Sequence, residues 1–74
     1  MVTERERFLK IHGLTKHEMH AVSLVLDGWN RSRIAQEKMM KSYKLDYLLK
    51  DAFRKLEVWS TTELFATYIR YLEN

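Results

Sequence analysis

The sequence predicts an all-α fold: four helices over residues 14–74, preceded by an N-terminal arm over residues 1–13. Three observations carry this reading. The 74 residues include no Pro and only two Gly, whereas short strands and tight turns need more of both. Leu45, Leu48, Leu49, Ala52, Phe53 and Leu56 recur at i, i+3, i+4, i+7, i+8 and i+11, the period of one buried helix face. Thr15 with Glu18 and Ser60 with Glu63 have the Thr/Ser-x-x-Glu spacing of capping boxes that open helices.

Each element has a local cause. Residues 1–13 begin charged and become apolar at Phe8, Leu9 and Ile11, and Gly13 separates them from the rest of the chain. They read as a frayed arm or as a short helix packed on the domain. The first domain helix starts at the Thr15 cap, with Leu14 placed as the outer member of a hydrophobic staple. Ala21, Val22, Val25 and Leu26 form its buried stripe, and Asp27-Gly28 ends it in a left-handed turn. The second helix runs from about Arg31 to about Met39, capped by Asn30, with Ile34 and Ala35 inward. The third runs from about Tyr43 to Leu56 with Ser42 as cap. The fourth covers residues 61–72. Its Leu64, Phe65, Tyr68, Ile69, Tyr71 and Leu72 are more apolar surface than one face of a terminal helix needs. That excess points to a dimer partner on this helix.

Length and composition exclude several classes. A chain of 74 residues makes one domain with a thin core, burying about 60% of its unfolded surface. It has no Cys to staple it, so it relies on helix packing or a partner. No apolar run approaches the roughly 20 residues of a membrane span, and Met1–Arg7 lacks the apolar stretch of a signal peptide. A cytoplasmic location is expected, and the lack of Cys fits a reducing compartment.

No enzyme or cofactor is expected. Ser32, Ser42 and Ser60 sit at or near helix starts, where Ser caps. There is no Gly-rich phosphate loop, and a thin helical core leaves little room for a substrate pocket. His17 and His20 lie three apart, but a zinc site wants a third converging ligand, and His12 lies beyond Gly13; no metal is expected. Met39 and Met40 read as gap-fillers at a turn. Trp29 reads as packed, and Trp59 as either core or partner contact.

Charge is concentrated. Residues 31–55 hold eight basic side chains (Arg31, Arg33, Lys38, Lys41, Lys44, Lys50, Arg54, Lys55) against Glu37, Asp46 and Asp51. The segment is +5 in a chain of +3, so the remainder is −2. A basic middle between acidic flanks is the pattern of a nucleic-acid face or of an ordinary solvated helix surface.

With these motifs the chain resembles the LuxR-type (GerE-like) helix-turn-helix family. That pattern reads here as Leu14-Thr15-Lys16-His17-Glu18, Gly28, Ile34-Ala35, and Lys55-Leu56-Glu57-Val58. The spacings match without a gap from Leu14 to about Leu64. The resemblance implies a four-helix domain of a bacterial transcription regulator. Helix 43–56 would enter the major groove, helix 31–39 would brace it, and helix 61–72 would make the dimer through Leu64, Phe65, Tyr68, Ile69, Tyr71 and Leu72. The reading helix departs from the family. Lys44-Leu45 stands for the usual Thr-Val, Leu48 for a polar residue, and Glu57 for the Gly before the final Val.

The expected function is that of a small stand-alone DNA-binding transcription regulator, bacterial or phage, acting as a homodimer on double-stranded DNA without cofactors. Tyr43, Lys44, Asp46, Tyr47 and Lys50 would face the bases, with Arg31, Arg33, Lys41 and Arg54 at phosphates. Lys50 suits guanine O6 or N7, and Asp46 suits cytosine N4. Asp46 and Asp51 also repel the phosphate backbone. The alternative is therefore a non-enzymatic interaction protein on the same fold, an antagonist or adaptor that binds another transcription regulator or the transcription machinery. Those two carboxylates also disfavour an anionic membrane surface for this helix.

Overall fold

The computed structural model describes residues 2–74 and contains five helices among them, with no strand. They are α1 (Glu4–Ile11), α2 (Lys16–Leu26), α3 (Arg31–Glu37), α4 (Ser42–Leu56) and α5 (Thr61–Glu73). The four-helix count is therefore one short. Of the two readings of residues 1–13, frayed arm or short packed helix, the second holds: Glu4–Ile11 is a helix, and its Phe8 and Leu9 are buried with the rest of the core. Thr3 caps it by accepting from the Glu6 N–H, and Thr3-x-x-Glu6 has the same spacing as the Thr15–Glu18 pair.

The core is assembled mainly between α2 and α4. Ala21 and Val22 from α2 meet Leu45, Leu49, Ala52 and Leu56 from α4, and Ile34 of α3 and Leu64 of α5 close the cluster. Ala21 and Ala52 are both fully buried, and small side chains let helices approach closely. Every predicted apolar position of α4 is buried except Leu48, which is half-buried against the cluster.

Four helices end in the same way. After α1, α2, α3 and α4 the chain places one residue in the left-handed region: Gly13, Gly28, Met39 and Glu57. In each case the next N–H reaches back to the helix, as Trp29 N–H does to Leu24 O (3.0 Å) and Val58 N–H does to Phe53 O (3.0 Å). These are Schellman turns. Gly takes the left-handed region without cost; an L side chain there costs about 1–2 kcal/mol. Met39 (φ 54°) and Glu57 (φ 59°) carry that strain, and they flank α4. Glu57 is exposed and makes no side-chain hydrogen bond among the described residues. Glu57→Gly is therefore expected to raise stability by about 1 kcal/mol. In thermal unfolding that is a Tm higher by roughly 4–8 °C; an unchanged or lower Tm would contradict it.

Some predicted boundaries move. Met39 turns left-handed, so α3 stops at Glu37 rather than near Met39. Ser42 is the first residue of α4 rather than its cap. Lys41 is extended (φ −73°, ψ 150°) and occupies the cap without a side-chain hydrogen bond. Thr15 and Glu18 form the full reciprocal capping box. At α5 only half forms: Ser60 accepts from the Glu63 N–H at 3.1 Å. Met40 packs against the core as a gap-filler, whereas Met39 is 93% exposed and fills nothing.

The expected dimer helix is partly covered by its own chain. Leu64 is fully buried in the protomer, so it is not an interface residue. Tyr68 and Tyr71 pack their rings on Phe8 of α1, both at 5.2 Å between centroids. What stays open is a narrower stripe: Phe65, half-buried, with Ile69 and Leu72 exposed.

Candidate nucleic-acid interface

The outward face of α4 follows from helical geometry. At 100° per residue, Tyr43, Tyr47, Lys50 and Arg54 fall within about 60° of one another. All four are exposed, Tyr47 at 68%. Two tyrosines left open at i and i+4 on a helix whose other face is buried are not needed for packing. Tyr43, Asp46, Tyr47 and Lys50 together line one shallow recess of about 270 Å³. Four of the five positions expected to face bases thus lie together, with Lys44 exposed beside them.

The two carboxylates on α4 are each neutralised. Arg31 of α3 donates to Asp46 at 3.0 Å, and Arg54 donates to Asp51 at 2.9 Å. In sequence both acids read as free repulsive charges on the reading face. Their pairing weakens that objection, and it also occupies two arginines expected at phosphates. All four side chains are more than half exposed. Such pairs are worth at most about 1 kcal/mol and exchange readily. Arg33 lies over the Trp29 ring at 3.8 Å, a cation–π contact that the sequence does not signal. Lys41, Lys44 and Lys50 are exposed and have no ion-pair partner among the described residues.

Behind this face sits a second set of contacts, and it joins two of the sequence motifs. Glu18, in the capping box of α2, accepts from the Thr15 N–H at 2.8 Å and from the Lys55 ammonium at 2.7 Å. The Glu18 side chain is 5% exposed. Burial alone would raise its pKa; the Lys55 ammonium and the Thr15 N–H outweigh burial and hold it below the usual 4.5. The Glu of the first motif and the Lys of the last therefore act on each other. They tie the start of α2 to the end of α4 and help set the pose of α4.

The histidines are dispersed. His12 meets Phe8 edge-on, with centroids 5.3 Å apart. His20 places Nδ1 3.2 Å from the Lys38 ammonium, whose pKa burial lowers. No group of three His, Asp or Glu side chains converges among the described residues, and none of their helices is long and apolar enough to cross a membrane. Trp59, core or contact on sequence grounds, is 82% exposed. It is not core.

No known protein family, curated protein or solved structure matches the chain. The class defined by the fold is a small five-helix protein whose longest helix shows solvent a basic and aromatic face. The likeness to the LuxR-type pattern rests on the residue series itself.

Proposed function

We propose that the chain is a DNA-binding transcription regulator of the LuxR-type helix-turn-helix kind, with α4 docked in the major groove and α3 bracing it. The observation that carries this reading is the exposed stripe of Tyr43, Tyr47, Lys50 and Arg54 on α4, with Arg31 reaching across from α3 to Asp46. A major groove about 12 Å wide admits one helix. The short α3, the turn at Met39 and α4 form the bihelical unit that presents such a helix. Lys50 and Asp46 are the base-reading candidates, Tyr43 and Tyr47 pack on bases or sugars, and Lys41 and Lys44 meet phosphates. Arg31 and Arg54 sit where each can trade its carboxylate for a phosphate oxygen.

Dimerisation is proposed through Phe65, Ile69 and Leu72, spaced i, i+4 and i+7 on α5. Two copies would then hold their α4 helices about one DNA turn apart.

Lys50 is the sharpest test. Lys50→Ala is expected to weaken binding to a selected operator by about 1–3 kcal/mol. Its effect on random duplex DNA should be smaller. Equal affinity of variant and parent for the operator, in a titration at fixed salt, would remove Lys50 from the reading face.

A further inference from the structure

A cleft adjoins the exposed stripe of α4 and shares Lys50 and Arg54 with it. It has a volume of about 580 Å³. Its floor is Leu49, Phe53 and Val58, and its rim carries Arg31, Lys50 and Arg54, with Trp59 at one end. A second cleft of about 260 Å³ shares Arg31, Leu49 and Phe53 with the first and continues to Trp29 and Phe65. The two make one trough between α4 and α5, with an indole at each end.

The proposed contact with DNA uses the rim of this trough, Arg31, Lys50 and Arg54, but not its apolar floor. Phosphates and sugars take up charge and hydrogen bonds; they do not fill an apolar floor. A cleft of this volume falls in the range of small-molecule sites, but those bury most of their ligand, and this one is open along its length. An exposed Trp at the edge of an apolar groove is the residue type most enriched at protein hot spots. The rim is basic: three cations against Asp46, with Lys50 the cation that has no carboxylate partner among the described residues.

We propose that the trough docks an acidic amphipathic helix of a partner protein, its apolar side on Trp59 and the open edges of Phe53 and Val58, and its carboxylates on Lys50, Arg54 and Arg31. This is helix-in-groove recognition. Because Lys50 and Arg54 belong to both surfaces, the partner and DNA exclude each other. The mutual exclusion rests on the DNA-binding proposal; the docking does not.

The probe is a synthetic peptide of about four helical turns, with Glu on one face, Leu and Phe on the other, and no Trp or Tyr. The full chain is labelled with ¹⁵N, and its two indole N–H signals are assigned with Trp59→Phe. The peptide is expected to shift the Trp59 indole saturably. A charge-matched scramble should leave it unmoved. Trp59→Ala should weaken binding fivefold or more, about 1 kcal/mol or above, without lowering Tm, since Trp59 is exposed. Added duplex DNA should lose anisotropy when the amphipathic peptide is titrated in.

Equal binding of the scramble, or shifts confined to Ile69 and Leu72, would overturn the proposal. A Trp59 shift that grows with protein concentration alone would assign the trough to a second copy and overturn it too. A Trp59 shift with DNA that the peptide does not reverse would make DNA the occupant. Should DNA fail to bind at all, the peptide arm still decides the docking, and only the exclusion falls with the DNA reading.

Discussion

Phe8→Ala is expected to cost about 3–5 kcal/mol, the range for truncating a buried aromatic side chain, and to bring the domain to the edge of unfolding. Phe8 is 1% exposed. Its ring meets Tyr68, Tyr71 and His12 at 5.2–5.3 Å, so truncation opens a cavity bounded by α1 and α5. Arg5 adds a second tie. It donates to Asp27 at 2.8 Å and to Ser23 O at 3.3 Å at the end of α2, and it lies 5.8 Å from the Tyr68 ring. A chain of this size without disulfides rarely gains more than about 3–5 kcal/mol from its core. The loss is therefore comparable to its whole stability. Urea unfolding followed by circular dichroism measures it. A Phe8→Ala variant within about 1 kcal/mol of the parent would return residues 1–13 to the status of an arm.

The second large effect is expected at Glu18. Glu18→Gln keeps an oxygen for the Thr15 N–H but removes the charge that Lys55 meets. The expected loss is about 2 kcal/mol, the range for a charged hydrogen bond. It falls below the roughly 3–5 kcal/mol of a fully buried broken pair, because Lys55 is 34% exposed and its ammonium can rehydrate. Lys55→Met should cost more, since the carboxylate it abandons is 5% exposed and cannot reach water.

The pH dependence comes from the direction of the shift. The folded pKa of Glu18 lies below its unfolded value of 4.5. Its contribution is thus complete above that value and is lost as pH falls through the folded pKa. Between neutral pH and about pH 3 the parent should lose more stability than Glu18→Gln. Parallel stability–pH curves for the two proteins would contradict the pairing.

Much of this architecture is legible in local sequence, because its causes are local. The Thr15–Glu18 box, the Asn30 cap, the Gly28 turn and the apolar period from Leu45 to Leu56 each act within a few residues, and each forms. What the sequence hides joins residues distant in the chain. Glu18 meets Lys55 across 37 positions, and Arg31 meets Asp46 across 15; no spacing rule connects them. The sequence leaves Phe8 open between a frayed arm and a packed helix, because its charged neighbours, Glu4 to Arg7, look like a solvated terminus. Leu64 reads as interface because composition alone cannot tell which of six apolar side chains on α5 the chain's own α1 and core will cover. Met39 and Glu57 hide two turns by placing non-glycine residues where left-handed geometry favours Gly. The exposed stripe on α4 is recoverable, since an exposed face is the complement of a strong buried period; the neutralisation of its acids is not.

The central claim is that α4 presents a DNA-binding face, and fluorescence anisotropy of labelled duplex DNA tests it most directly. Purified protein would be titrated into a random-sequence duplex at about 50 mM and about 200 mM salt. With about four phosphate contacts the apparent affinity should fall roughly a hundredfold between the two. Lys41→Glu combined with Lys44→Glu should flatten that dependence. No binding at the lower salt, with the protein folded and at concentrations well above micromolar, would contradict the claim and leave α4 as a surface for protein alone.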